Sequence, residues 1–206
     1  MTFSIKKIES LLNRNQIGLV ELFSLRRELG VPFKMHPLGF IACTLLIEGP
    51  RKLRLHYWPV VGGAQQSAEC QIHDHLFEFR SWILAGAVTN VEYKISRNGP
   101  EFSTYRTEYS DERSILVKTD LKLRLEECSR VTYNIGSSYD VQTGVLHETV
   151  RVGEQPACTV LLTHDVSDSA PLVLGPLSGS ARYIYERRAI EESVLAQILP
   201  SALVPD

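Results

Sequence analysis

Three histidines in this sequence have the type and the placement to bind a metal ion. The stretch HDHLFEFRSWILAG, residues 73–86, carries His73 and His75 one residue apart. On an extended strand such residues point to the same face, so the two imidazoles project together. Neutral imidazole is the commonest metal ligand at physiological pH. An isolated His-x-His pair is more often hydrogen-bonded or at the surface than metal-bound. This pair has company in GSSYDVQTGVLHETVR, residues 136–151, where His147 follows Gly144 by three positions.

The second stretch resembles the second motif of the cupin superfamily, which has a glycine, a proline, a glycine, a histidine and an asparagine at this spacing. Gly136, Gly144 and His147 match; Gln142 stands in the proline slot and Arg151 in the asparagine slot. The first stretch resembles the first cupin motif through His73, His75 and Gly86. Its glutamate slot falls on Phe79, and its leading glycine slot on Ser67. Glu78 lies one residue early and faces the other way unless a bulge intervenes.

The resemblance implies a double-stranded β-helix barrel binding one divalent metal through His73, His75 and His147, with Glu78 as a fourth ligand if a bulge turns it inward. A site of three histidines without a carboxylate is similar to that of the thiol dioxygenase branch, which binds Fe(II). Zinc also suits three histidines, and manganese is a further choice. Three neutral ligands leave the ion's charge uncompensated, which favours an anionic substrate or hydroxide in the open positions.

Around that centre, strand alternation places Thr149 and Arg151 on the face of His147. Arg151 is a candidate to clamp a substrate carboxylate, since a guanidinium fork matches that group. An exposed strand-end arginine is an equally good reading. Tyr93, Tyr133 and Tyr139 are candidate phenolic donors. Phe77, Phe79 and Ile83 would wall the site, and Ser81 shares their parity. In LRLHYW, Arg54, His56 and Trp58 share one face and Leu53, Leu55 and Tyr57 the other; if the first face is inward, Arg54 and His56 flank the metal, but apolarity favours the second as the one that fills the core. His36 and His164 read as ordinary surface or hydrogen-bonded residues.

These side chains need a scaffold. Residues 4–15 and 17–29 show helical periodicity, with Ser4 as N-cap and Gly30 and Pro32 as terminators. From about residue 39, short segments rich in β-branched and aromatic residues follow one another between turn residues, which indicates an all-β sandwich or barrel. Residues 167–181 read as a linker or arm, and RYIYERRAIEESVLAQIL as a C-terminal helix, or alternatively as a segment exchanged between subunits. The expected fold is mainly β: a cupin-like barrel over 36–166, helices within 1–35, and an arm and helix over 167–206.

Composition narrows the function classes. With 44% hydrophobic and 22% charged residues, the chain can bury an ordinary core. A net charge of −2 argues against a nucleic-acid surface, which needs clustered cations. The four cysteines, Cys43, Cys70, Cys128 and Cys158, form no C-x-x-C pair, so a thiolate zinc site is not expected and reduced thiols are. No apolar run reaches the roughly 20 residues that span a bilayer. The expectation is a cytoplasmic enzyme acting on a small molecule, without nucleic-acid or membrane partners, as a monomer or homodimer. The leading activity is an Fe(II)-dependent dioxygenase on a small anionic substrate. The alternatives are a Zn- or Mn-dependent redox-neutral isomerase, lyase or hydrolase, and a non-catalytic ligand-binding cupin.

Overall fold

The computed structural model describes residues 3–60, 69–110, 112–165 and 170–203. Ser67, the slot of the motif's leading glycine, lies outside them, as do residues 167–169 of the expected arm. Two helices open the chain, α1 (Ile5–Asn13) and α2 (Leu19–Glu28). The Ser4 side chain caps α1 by accepting from the Lys7 amide, as its residue type predicts.

Two antiparallel sheets follow. The first contains β1 (Lys34–Met35), β2 (Ile41–Glu48), β3 (Arg51–Trp58), β5 (Phe77–Ala85), β9 (Ser138–Val141) and β11 (Ala157–Asp165). The second contains β4 (Ile72–His73), β6 (Ala87–Ile95), β7 (Glu101–Ser110), β8 (Arg113–Asn134), β10 (Leu146–Val152), β12 (Leu172–Gly175) and β13 (Arg182–Glu186). The orders are β1-β2-β3-β11-β5-β9 and β13-β8-β6-β10-β4-β12-β7. The long β8 pairs with β6 through one half and with β7 through the other, so the second sheet curls back on itself. The fold is mainly β, as expected.

Over its centre the first sheet is buried on both faces. One face, including Ile41, Leu53, Leu55, Tyr57 and Val160, packs beneath Ile8, Leu12, Leu22 and Phe23 of the helices. The other looks into the space between the sheets, where Phe40, Trp58, Phe79, Ile83, Tyr139 and Leu161 form a second cluster. Alternation along β3 therefore serves two environments. Leu53 and Leu55 are fully buried under the helices, while Arg54, His56 and Trp58 line the inter-sheet cavity. Apolarity correctly identified the first face; the polar face is enclosed as well.

The C-terminal expectation needs correction. RYIYE forms β13, paired with β8, and α3 covers only Glu192–Ile198. Tyr183 and Tyr185 alternate with exposed residues, a period-2 pattern that a helical reading overlooks. Strands β12 and β13 thus complete the second sheet.

Candidate metal centre

Strand register brings the histidines together. In the antiparallel pairing of β4 with β10, His73 stands opposite His147. Their neighbours Ile72 and Leu146 turn to the other face and pack together with Leu125 and Leu174. Strand β4 ends at His73, and the chain then bends. Asp74 secures the bend: its amide donates to the Leu172 carbonyl at 3.0 Å, and its carboxylate accepts from the Leu172 amide at 2.7 Å. The Gly144 amide donates to the His75 carbonyl at 2.9 Å, tying the first motif to the second. With Asp74 turned to β12, His75 rejoins His73 in the cavity.

One nitrogen from each of His73, His75 and His147 lies within 4.8 Å of the others. The ring centroids of His73 and His147 are 5.0 Å apart, and those of His75 and His147 5.2 Å. Two tautomers are set by hydrogen bonds. His73 Nδ1 faces the Gln71 carbonyl at 2.7 Å, and His147 Nδ1 faces Asn90 Oδ1 at 2.8 Å. Both acceptors require N–H at Nδ1, which leaves each Nε2 lone pair for a ligand. His147 is 2 % exposed, and its buried Nε2 has no hydrogen-bond partner among the described residues. A buried acceptor without a partner is costly, and an ion shared with the other two rings would satisfy it. The donor set therefore fits a divalent metal. Burial holds all three imidazoles below the ordinary histidine pKa, and neighbouring imidazoles add to the effect at His75 and His147. They are neutral at pH 7, the state that ligates.

Around this cluster lies a cavity of about 450 Å³. Phe77 stacks on His75 at 4.5 Å, and Phe79 lies 5.6 Å from the His147 ring. Tyr139, Thr149, His56 and Trp58 also line it. Ile83 packs in the cluster below without reaching the cavity lining, and Ser81 is fully buried there.

Several expected site residues are elsewhere. Glu78 is exposed on the outward face of β5, 3.8 Å from His164; no bulge turns it, and Phe79 points to the imidazoles instead. Glu78 is therefore outside the ligand cluster. Arg151 lies at the far end of β10, where its guanidinium donates to the carbonyls of Gly153 and Gln155 and holds the turn before β11. The Tyr93 hydroxyl donates to Glu148 at 2.6 Å on the opposite side of the sheet from the imidazoles. Tyr133 stacks behind Tyr139 at 4.5 Å and does not line the cavity. Cys43, Cys70 and Cys158 are buried free thiols, and Cys128 is an exposed one.

Other residues enter the site unannounced. His36 lines the cavity, its ring stacked 4.0 Å from that of Phe40. Asn90 and Glu92 support His147 from β6: Asn90 Nδ2 donates to Glu92 Oε1 at 3.1 Å, which orients the amide. Arg187, just beyond β13, reaches the cavity lining from the C-terminal segment. Asn90 lies two residues before Glu92, which β6 places opposite His147, but that register is invisible in the sequence.

No protein-family model and no curated protein matches this sequence. Among solved structures, the DMSP lyase DddQ from Ruegeria pomeroyi DSS-3 aligns over 64% of this chain and 50% of its own, at 16% identity and a TM-score of 0.37. A structure of the DMSP lyases RdDddP and RnDddQII aligns over 64% of this chain and 51% of its own, at 13% identity and a TM-score of 0.34. In both cases the match spans about half the length of the solved chain.

Proposed function

We propose that the chain is a mononuclear divalent-metal enzyme of redox-neutral type, acting on a small anionic substrate, with His73, His75 and His147 holding the ion. The buried, unpartnered Nε2 of His147 carries this reading. The choice of chemistry follows from the donor set. The usual oxygen-activating iron site takes two histidines and a carboxylate. Here Phe79 fills the carboxylate slot and Glu78 faces away. Three imidazoles with open positions are the donor set of a catalytic zinc site. When bound, such an ion supplies Lewis-acid chemistry, polarising a substrate oxygen or lowering the pKa of a coordinated water.

The chain's own residues hold and shield the substrate. Phe77 and Phe79 give the centre an aromatic wall. Burial raises the pKa of Tyr139, so its phenol remains protonated and pairs with the Thr149 hydroxyl, which in turn donates to Asn90 Oδ1. Burial and the neighbouring Arg54 push His56 down to about 3. It is therefore a neutral hydrogen-bonding group and too weak a base to hold a proton at pH 7. Among the described residues, no aspartate or glutamate lines the cavity, whereas Lys34, Arg54 and Arg187 do. That charge balance supports an anionic substrate.

An Fe(II)-dependent dioxygenase is the second reading, favoured by the all-histidine set that the thiol dioxygenase branch also uses. Metal analysis of untagged protein purified without added metal separates the two. One equivalent of zinc or manganese without O₂ uptake supports the first, and iron with O₂ uptake the second. A His147→Ala variant that keeps wild-type metal stoichiometry overturns both.

A further inference from the structure

Two arginines from distant parts of the chain meet the same cavity. Arg54 comes from β3, and Arg187 follows β13. The backbone around Arg187 is fixed on both sides: its amide donates to the Glu112 carbonyl at 2.6 Å, and the Arg188 carbonyl accepts from the Met35 amide at 3.3 Å. Arg54 Cζ lies 5.1 Å from the Phe77 ring centroid, and Arg187 Cζ 5.6 Å from that of Tyr109. Phe77 in turn stacks on His75, so one ring touches both the Arg54 cation and the imidazole cluster. A smaller chamber of about 100 Å³, lined by His36, Tyr109, Tyr185 and Arg187, adjoins the same two histidines, His73 and His75.

The charges here are not balanced from within. Both Nε atoms are buried and have no hydrogen-bond partner among the described residues. Among the described residues, neither guanidinium forms an ion pair with a carboxylate. The nearby Asp165 exerts a favourable field on Arg54, but its carboxylate is paired with Lys52. Arg187 and Arg54 repel one another, and both act on His36, which burial already keeps neutral. Guanidinium does not lose its proton in proteins, so two like charges persist around one cavity. Such a pair is costly unless an anion joins it.

We infer that Arg54 and Arg187 form an anion subsite that binds the carboxylate end of a bifunctional acid, whose other oxygen-bearing end reaches the three histidines. This rests on the metal-site reading for the second half of the substrate only. The planar forks match a carboxylate through paired N–H donors. Phe77 spans the gap between the two ends and offers an apolar surface to the substrate's carbon chain.

The test is calorimetric titration of the full chain with succinate, with and without stoichiometric zinc, alongside inorganic phosphate. Succinate is expected to bind the metal-free protein and to bind more tightly with zinc. Arg54→Gln and Arg187→Gln are each expected to weaken it roughly ten- to a hundredfold while zinc stoichiometry stays at that of the wild type. Arg187→Gln decides the case if Arg54→Gln does not fold. Succinate binding that is undetectable in the wild type, or unchanged in Arg187→Gln, overturns the subsite. Tighter binding of phosphate than of succinate overturns its assignment to a carboxylate. His147→Ala keeps the two readings apart: it is expected to retain succinate affinity in the metal-free state. If that variant still binds zinc, the metal reading fails and the arginine subsite stands.

Discussion

The Nδ1–H of His147 donates to Asn90 Oδ1 at 2.8 Å, and Glu92 holds the amide of Asn90 in the orientation that accepts it. A ligand histidine usually has such a partner, which fixes its tautomer and raises its basicity. Asn90 is 4 % exposed, so water cannot readily replace it. Asn90→Ala is therefore expected to lower zinc affinity about 10- to 100-fold, read by competition with a chelator. Asn90→Asp keeps an acceptor at the same place and should recover most of the loss. Equal affinity in all three proteins would show that the hydrogen bond does not support the ligand.

Phe79 occupies the slot where the motif has its carboxylate, with its ring 5.5 Å from that of His75. Phe79→Glu places an acid beside the imidazoles. Without metal, this buried charge lowers thermal stability. With zinc, the charge is compensated, and metal should raise the melting temperature more than it does in the wild type. Phe79→Leu is the control for lost volume. Glu78→Gln, on the outer face, is expected to leave metal stoichiometry and melting temperature at wild-type values.

The sequence disclosed the three clustered histidines because motif spacing survives without any knowledge of register. It disclosed the mainly β scaffold because strand alternation and turn residues are local. It concealed the residues that reach the site by tertiary routes. Arg187 belongs to a segment with helix-forming charges that folds beside a strand. His36 carries no motif and is enclosed because Phe40 stacks on it. Arg151 and Tyr93 had suitable chemistry, but their polar ends are engaged elsewhere, by turn carbonyls and by Glu148. The N–H and O–H groups of such side chains go to the nearest geometrically suitable acceptor, which residue type does not predict.

His56 is also expected to make stability depend on pH. Its folded-state pKa is held at about 3, against an ordinary value of 6.5, by burial and by Arg54. Above pH 6.5 it is neutral in both folded and unfolded chains and contributes no pH dependence. Between about 6.5 and 3, the unfolded chain takes up a proton that the folded chain excludes, so stability falls as pH falls. Denaturant titrations from pH 7 to pH 4 should show this loss. His56→Phe is expected to flatten the acid limb by about one proton's worth of slope. An unchanged limb in that variant would assign the loss to other groups.

Gly86 and Gly144 are both motif glycines with positive φ, of +64° and +76°, but their surroundings differ. Gly86 makes the turn between β5 and β6. A Cβ there would press into the Pro156 carbonyl oxygen and lie 3.0 Å from Ala157 Cα, both parts of rigid backbone. Gly144 has nothing within 4 Å of its Cβ position. Gly144→Ala should therefore incur only the left-handed backbone cost, about 1 kcal/mol. Gly86→Ala adds a clash that the β5–β6 turn must yield to relieve, and about 2 kcal/mol or more is expected. Because the Gly144 amide donates to the His75 carbonyl, any shift there also moves His75. Gly144→Ala is thus expected to weaken zinc binding out of proportion to its small effect on denaturant stability. Gly86→Ala, at the opposite end of β5 from Phe77, should lose stability first. Chelator competition and urea unfolding on the two variants give the two orderings, and the same order in both assays would refute this division of roles.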